Sequence, residues 1–282
     1  MNIQYLGTAA AEGWPAVFCN CDACLEAAKR GGKNIRTRSQ TLINDDLLLD
    51  FPPDTYLHKL QQGLDLSRVA HLFITHRHMD HFYPQELTIR GGGYSHKMAS
   101  QELNIYCSQD AKDFFFSGVA WELEEESASD LHWHILTPFE PVQAGPYTVT
   151  PLPAHHMKER PGSQPLFYLI EEGEKSLLYC HDTGRFSGEV WDFLKRRQRP
   201  VDMISFDCTG GPIENGPRSG HMGYPDDILI REQLREIGVC DDHTLCVVNH
   251  FSHNGGMLHE ELCEKLEPLG FTVSYDGMKI EL

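Results

Sequence analysis

His76-Arg77-His78-Met79-Asp80-His81 packs three imidazoles and a carboxylate into six residues. The motif follows directly on Val69-Ala70-His71-Leu72-Phe73-Ile74-Thr75, an apolar run of strand length and composition. A strand delivering into such a cluster places its groups at a sheet edge, where loops from distant parts of a chain converge. In extended backbone, residues i and i+2 point the same way. His76 and His78 can therefore share one cation, while Asp80 and His81, beyond a turn, can serve a second.

Working outward, the same arrangement recurs. A strand at 147–152 ends in Pro153-Ala154-His155-His156, and a hairpin-like pair at 167–170 and 177–180 runs into His181-Asp182. A strand at 201–207 precedes a Gly/Pro-rich loop, 209–220, that carries His221, and a strand at 244–249 ends at His250. Further strands are predicted at 2–6, 40–44, 47–51 and 103–107, and helices at 25–30, 54–62, 110–118 and 226–237. No repeat, linker or low-complexity tract divides residues 1–282, so a single domain is expected. Imidazole and carboxylate suit Zn, Mn or Fe(II) without selecting among them. A two-metal centre needs a bridging acceptor. Asp182 can supply it, with His156 and His250 completing the two coordination spheres.

Composition narrows the class. The chain has 282 residues, 24 Lys+Arg against 41 Asp+Glu, and a net charge of -17. Hydrophobic residues at 40% supply a sizeable core. The acidic balance opposes a nonspecific grip on nucleic acid or an anionic membrane. No window approaches the ~20 apolar residues of a bilayer span, and the N-terminal residues lack a signal-peptide pattern, so a cytoplasmic location is expected. Three of nine cysteines fall in Cys19-x-Cys21-x-x-Cys24, a spacing that suggests metal thiolates. Cys107, Cys180, Cys208, Cys240, Cys246 and Cys263 lie in apolar contexts and are expected in the core.

Taken in order, His76, His78, Asp80, His81, His156, Asp182 and His250, with Asp50 at an early strand end, resemble the metallo-β-lactamase fold superfamily over residues 2–280. Cys19-x-Cys21-x-x-Cys24, His250-Phe251-Ser252-His253 and Tyr275-Asp276-Gly277-Met278 resemble, more narrowly, the PhnP-type phosphodiesterases associated with carbon-phosphorus lyase pathways. The resemblance implies an α/β fold: a four-layer αβ/βα sandwich of two mixed β-sheets flanked by helices, with a dinuclear metal site at one edge. It assigns His76, His78 and His156 to one metal, Asp80, His81 and His250 to the other, and Asp182 as bridge. His155 competes with His156, and the similar proteins use the second histidine. Cys19, Cys21, Cys24 and His253 form a Cys₃His set suited to a structural zinc, in a small N-terminal loop at 19–24.

The function so implied is cleavage of a small phosphodiester, with a cyclic ribose phosphate as an example, through a hydroxide bridging two divalent ions. Asp80 or Asp182 would accept the water proton, and His221 would protonate the leaving group or contact phosphate. Arg77, Lys158, Arg160, Arg185 and Arg218 are candidate phosphate contacts. Family resemblance also suggests a homodimer. Rival readings are a tRNA 3′-end nuclease, a thioester hydrolase of the glyoxalase II type, and a PqqB-like non-hydrolytic accessory protein. The stretch 85–136 is enlarged relative to the PhnP pattern and is a candidate lid or dimer contact.

Overall fold

A computed structural model describes residues 1–123, 128–156 and 162–282. The strands β1 (Asn2–Gly7), β2 (Gln40–Ile43), β3 (Leu47–Leu49), β4 (His71–Phe73), β5 (Leu103–Cys107) and β6 (Leu131–Ile135) lie side by side in one sheet. A second sheet holds β7 (Val142–Ala144), β8 (Tyr147–Pro153), β9 (Leu166–Glu172), β10 (Lys175–Cys180), β11 (Met203–Asp207), β12 (Leu245–Asn249) and β13 (Phe271–Val273). The last strand, β14 (Lys279–Glu281), returns to the first sheet beside β1. Described helices are α1 (Asp22–Arg30), α2 (Thr55–Gln62), α3 (Gln109–Gly118), α4 (Gly188–Lys195), α5 (Tyr224–Glu236) and α6 (His259–Leu266).

Both sheets are mixed in the same way. In the order β14-β1-β2-β3-β4-β5-β6, three antiparallel pairings are followed by three parallel ones. The order β7-β8-β9-β10-β11-β12-β13 shows the same progression. The chain carries no residue repeat, so the duplication lies in topology alone.

The strands read as unbroken apolar runs because both their faces are buried. Leu47 and Leu49 point between the sheets with Phe73, Tyr168, Ile170, Leu177 and Tyr179, forming the middle core. Leu48, Leu72 and Ile105 face outward against Ala111 and Phe115 of α3. On the other side Phe167, Leu178 and Ile204 pack under Val190 of α4, Ile230 of α5 and Leu262 of α6. Three apolar layers separated by two sheets make the four-layer αβ/βα sandwich, as expected.

Differences from the sequence expectation are local. The 69–75 run is regular only over β4, because the chain then leaves the sheet to bring the Thr75 backbone N–H within 2.8 Å of Asp50 Oδ1. The 85–136 stretch, outside residues 124–127, is not simply a lid: it builds β5, α3 and the edge strand β6.

Candidate metal centre

Asp50, Asp182 and His250 each stand just beyond the end of a strand with positive φ: 66°, 51° and 62°. Left-handed backbone is uncommon for a residue with a side chain and is best tolerated by Asn, Asp and His. Three such residues at one edge of the sandwich mark a place where the packed scaffold sustains local strain.

Two donor sets meet there. His76 Nε2 and His156 Nε2 lie 2.9 and 3.1 Å from His78 Nδ1. Beside them, His81 Nε2 lies 3.2 Å from His250 Nε2 and 3.1 Å from Asp80 Oδ2. Asp182 stands between the sets. Its Oδ1 is 4.0 Å from His76 Nε2 and 3.6 Å from His156 Nε2, while its Oδ2 is 2.8 Å from His81 Nε2 and 2.9 Å from His250 Nε2. Donors around a tetrahedral ion with bonds of about 2.1 Å are themselves about 3.4 Å apart, so these spacings suit coordination.

The outer hydrogen bonds fix the imidazoles for that role. His81 Nδ1–H donates to Asp50 Oδ2 (2.7 Å), and His156 Nδ1–H donates to Gly220 O (3.1 Å). His76 Nδ1–H donates to Thr75 Oγ1 (3.0 Å), and His250 Nδ1–H donates to Thr209 Oγ1 (2.8 Å). Each ring thereby keeps its Nε2 lone pair toward its neighbours, the orientation that metal-binding histidines require. Asp182 Oδ2 is buried without a hydrogen-bond partner despite its two close imidazoles. Divalent cations held by the two sets would give Asp182 Oδ2 a partner and accept the converging Nε2 lone pairs, so the residues fit such ions. Burial opposes charge on His81, but the carboxylates of Asp182, Asp80 and Asp50 raise its pKa well above the ordinary range, so a metal taking its Nε2 would displace a proton.

His221 sits at the rim, about one third exposed, with Nδ1 3.0 Å from Asp207 Oδ2 and 3.9 Å from Asp182 Oδ1. Burial lowers the pKa of His221, but Asp207, Asp182 and Asp80 outweigh it and push it up to about 9. Asp207 was not among the residues singled out from sequence. It is a lone carboxylate without a neighbouring histidine, and its one signal was its place at the end of the 201–207 strand.

Asp226, at the start of α5, ties the His221 loop together. It accepts from the backbone N–H groups of Asn215 (2.8 Å), Gly216 (3.3 Å) and Gly223 (3.2 Å) and from Arg185 Nε (2.8 Å). Arg185 also pairs with Glu214. Its guanidinium is thus committed to the loop, a correction to its place among the phosphate contacts. Gly184 fits the same junction, since a Cβ there would stand 1.9 Å from Ser219 O. Gly184→Ala is therefore expected to cost about 1–3 kcal/mol through overpacking. A lowered thermal midpoint in calorimetry checks this.

The remaining candidates separate clearly. His155 is outside both donor sets; its backbone N–H donates to Thr183 Oγ1 and its carbonyl accepts from Gly184. Arg77 lies 3.5 Å from Asp110, and Arg218 is exposed on the His221 loop. Lys158 and Arg160 lie outside the described residues. Cys19, Cys21, Cys24 and His253 form a separate set whose donor atoms all lie within 4.8 Å of one another. Cys24 Sγ accepts from the Ala16 N–H, and Cys21 Sγ lies 3.4 Å from His253 Nδ1. The Cys24 backbone and His253 draw the Cys21 thiol down to about 6, toward the thiolate a metal takes. Of the other cysteines, Cys263 is half-buried and the rest are buried.

Residues 47–239 match the family described as the beta-lactamase superfamily domain. Coenzyme PQQ synthesis protein B of Acinetobacter baylyi is 23% identical, with all of both chains covered. The crystal structure of Zn²⁺-bound PqqB from Methylobacterium extorquens superposes with a TM-score of 0.76 at 19% identity, again covering both chains fully. That of a diphosphatase from the PhnP family gives 0.73 at 19% identity, covering all of this chain and 96% of the other. The family match spans both sheets and most of the donor residues, and the chain belongs to the beta-lactamase superfamily.

Proposed function

We propose that this protein hydrolyses small phosphodiesters at a dinuclear metal centre. The observation that carries the reading is Asp182, whose two oxygens face two different donor sets beneath a rim histidine. In this reading His76, His78 and His156 would hold one ion, Asp80, His81 and His250 the other, and Asp182 would serve both. Divalent ions bound there supply Lewis acidity, lowering the pKa of a water and polarising a phosphoryl oxygen. Asp80 or Asp182 would accept a proton from the attacking water. Asp207 engages His221 Nδ1, leaving the other ring nitrogen to protonate the departing alkoxide. The net charge of -17 favours a small substrate over a long polyanion.

His221→Ala is expected to slow an alkyl phosphodiester about 10²–10³-fold while leaving the metal content unchanged. An aryl diester, whose leaving group needs little protonation, should lose much less. Equal losses on both substrates would remove His221 from the acid role. Asp50→Asn is expected to weaken active-site metal binding about 10–100-fold by releasing His81, as read by competition with a chelator.

The direct test compares an aryl phosphodiester, a monoester, a thioester and a β-lactam on metal-reconstituted protein. Selective diester turnover supports the reading. Full-length likeness to a coenzyme PQQ synthesis protein favours a second one, an accessory protein without hydrolytic turnover. Two bound ions with no turnover of any ester would favour that reading instead.

A further inference from the structure

A cavity of about 480 Å³ opens on the outer face of the first sheet, lined by none of the donor residues. Its floor is core: Leu48 of β3, Leu72 of β4, Val69, Leu87 and Leu103 all line it. A volume of this size falls in the range of small-molecule sites. The apolar surface continues around the mouth, where Tyr56, Ile89 and Tyr94 remain 57%, 48% and 64% exposed.

The charges at the mouth run against those of the whole molecule. In a chain of net charge -17, the lining contributes the cations Lys59 and Arg90 and a single carboxyl, Glu86. Arg90 donates to the carbonyls of Gln101 and Ser100, which fixes the loop edge; Lys59 makes no direct ion pair among the described residues, its charge reaching the Asp65 carboxylate only at longer range. Glu86 also has no ion-pair or hydrogen-bond partner among them, and burial raises its pKa toward the neutral form.

We propose that this cavity is a binding site for a small amphipathic anion, with the apolar body on the leucine floor and the anionic head at Lys59. The site is placed to be felt at the metal motif. Phe51, one of its walls, accepts from the Tyr83 N–H at 2.7 Å and donates its own N–H to His81 O at 2.7 Å.

Decanoate is the probe, with decanol as its neutral counterpart, titrated calorimetrically into the metal-loaded protein. Decanoate is expected to bind saturably and raise the thermal midpoint, and decanol to bind about tenfold more weakly. Lys59→Glu, at an exposed position, should abolish the preference for the anion. Met98→Trp, which fills the cavity, should weaken both ligands about tenfold or more, with circular dichroism confirming the fold. Absence of saturable decanoate binding at millimolar concentration overturns the proposal. So does binding unchanged in both variants, or equal affinity for decanol. A shift from dimer to monomer on Tyr94→Ser, without decanoate binding, would show instead that a second copy covers this face.

Discussion

Asp182→Ala is expected to dismantle the metal centre. Its two oxygens serve different donor sets, so one truncation takes an anion from both. It also leaves the Nε2 atoms of His81 and His250 3.2 Å apart with no Asp182 carboxylate beside them. The expected loss in kcat/KM on an aryl phosphodiester is about 10⁴-fold, equivalent to about 5.5 kcal/mol. Metal analysis should show the active-site ions depleted while any ion at Cys19, Cys21, Cys24 and His253 is retained. Asp182→Asn preserves the shape of the side chain without its charge, and should fall nearly as far. Retention of two active-site ions with turnover within about tenfold of the parent would eliminate the shared role.

The second large effect concerns a side chain that exposure alone would call unimportant. Cys21 lies on the surface, where a Ser for Cys exchange ordinarily changes stability little. With an ion held by Cys19, Cys21, Cys24 and His253, Cys21→Ser instead releases the tether between the N-terminal loop and the 250–256 loop. The expected result is one structural metal lost per chain and a thermal midpoint lowered by roughly 5 °C or more. Turnover should fall about tenfold through displacement of His250, three residues from His253. An unchanged midpoint and metal content in Cys21→Ser would mean that the set holds no ion.

What the sequence could reveal depended on contrast between neighbouring residues. The β3, β9 and β10 runs stood out because burial on both faces makes them continuously apolar, and charged or Gly-rich turns cut them off. β6 did not, since His132 and His134 interrupt an edge strand whose residues are mostly half-buried or exposed. β13 and β14 lack that continuity, since Thr272 interrupts the one and Lys279 and Glu281 flank a single Ile280 in the other. Among site residues, the clustered histidines were legible from their spacing, and Asp182 from its strand end beside His181. Asp207 was not, because its importance comes from contact with His221, fourteen residues away through a loop whose path only folding determines. The Asp226 tie was equally hidden, since three of its four partners are backbone N–H groups.

The duplicated topology carries a temporal consequence. The first sheet contributes only the 76–81 segment, while His156, Asp182 and His250 all follow strands of the second sheet. During synthesis the ribosome releases His76, His78, Asp80 and His81 long before their counterparts, and His250 comes last. On the proposed function, an early half-protein would offer only four of the seven donors, and the pair of sites would be complete only once the two sheets dock. Metal capture would then report a chain that has been completed and closed.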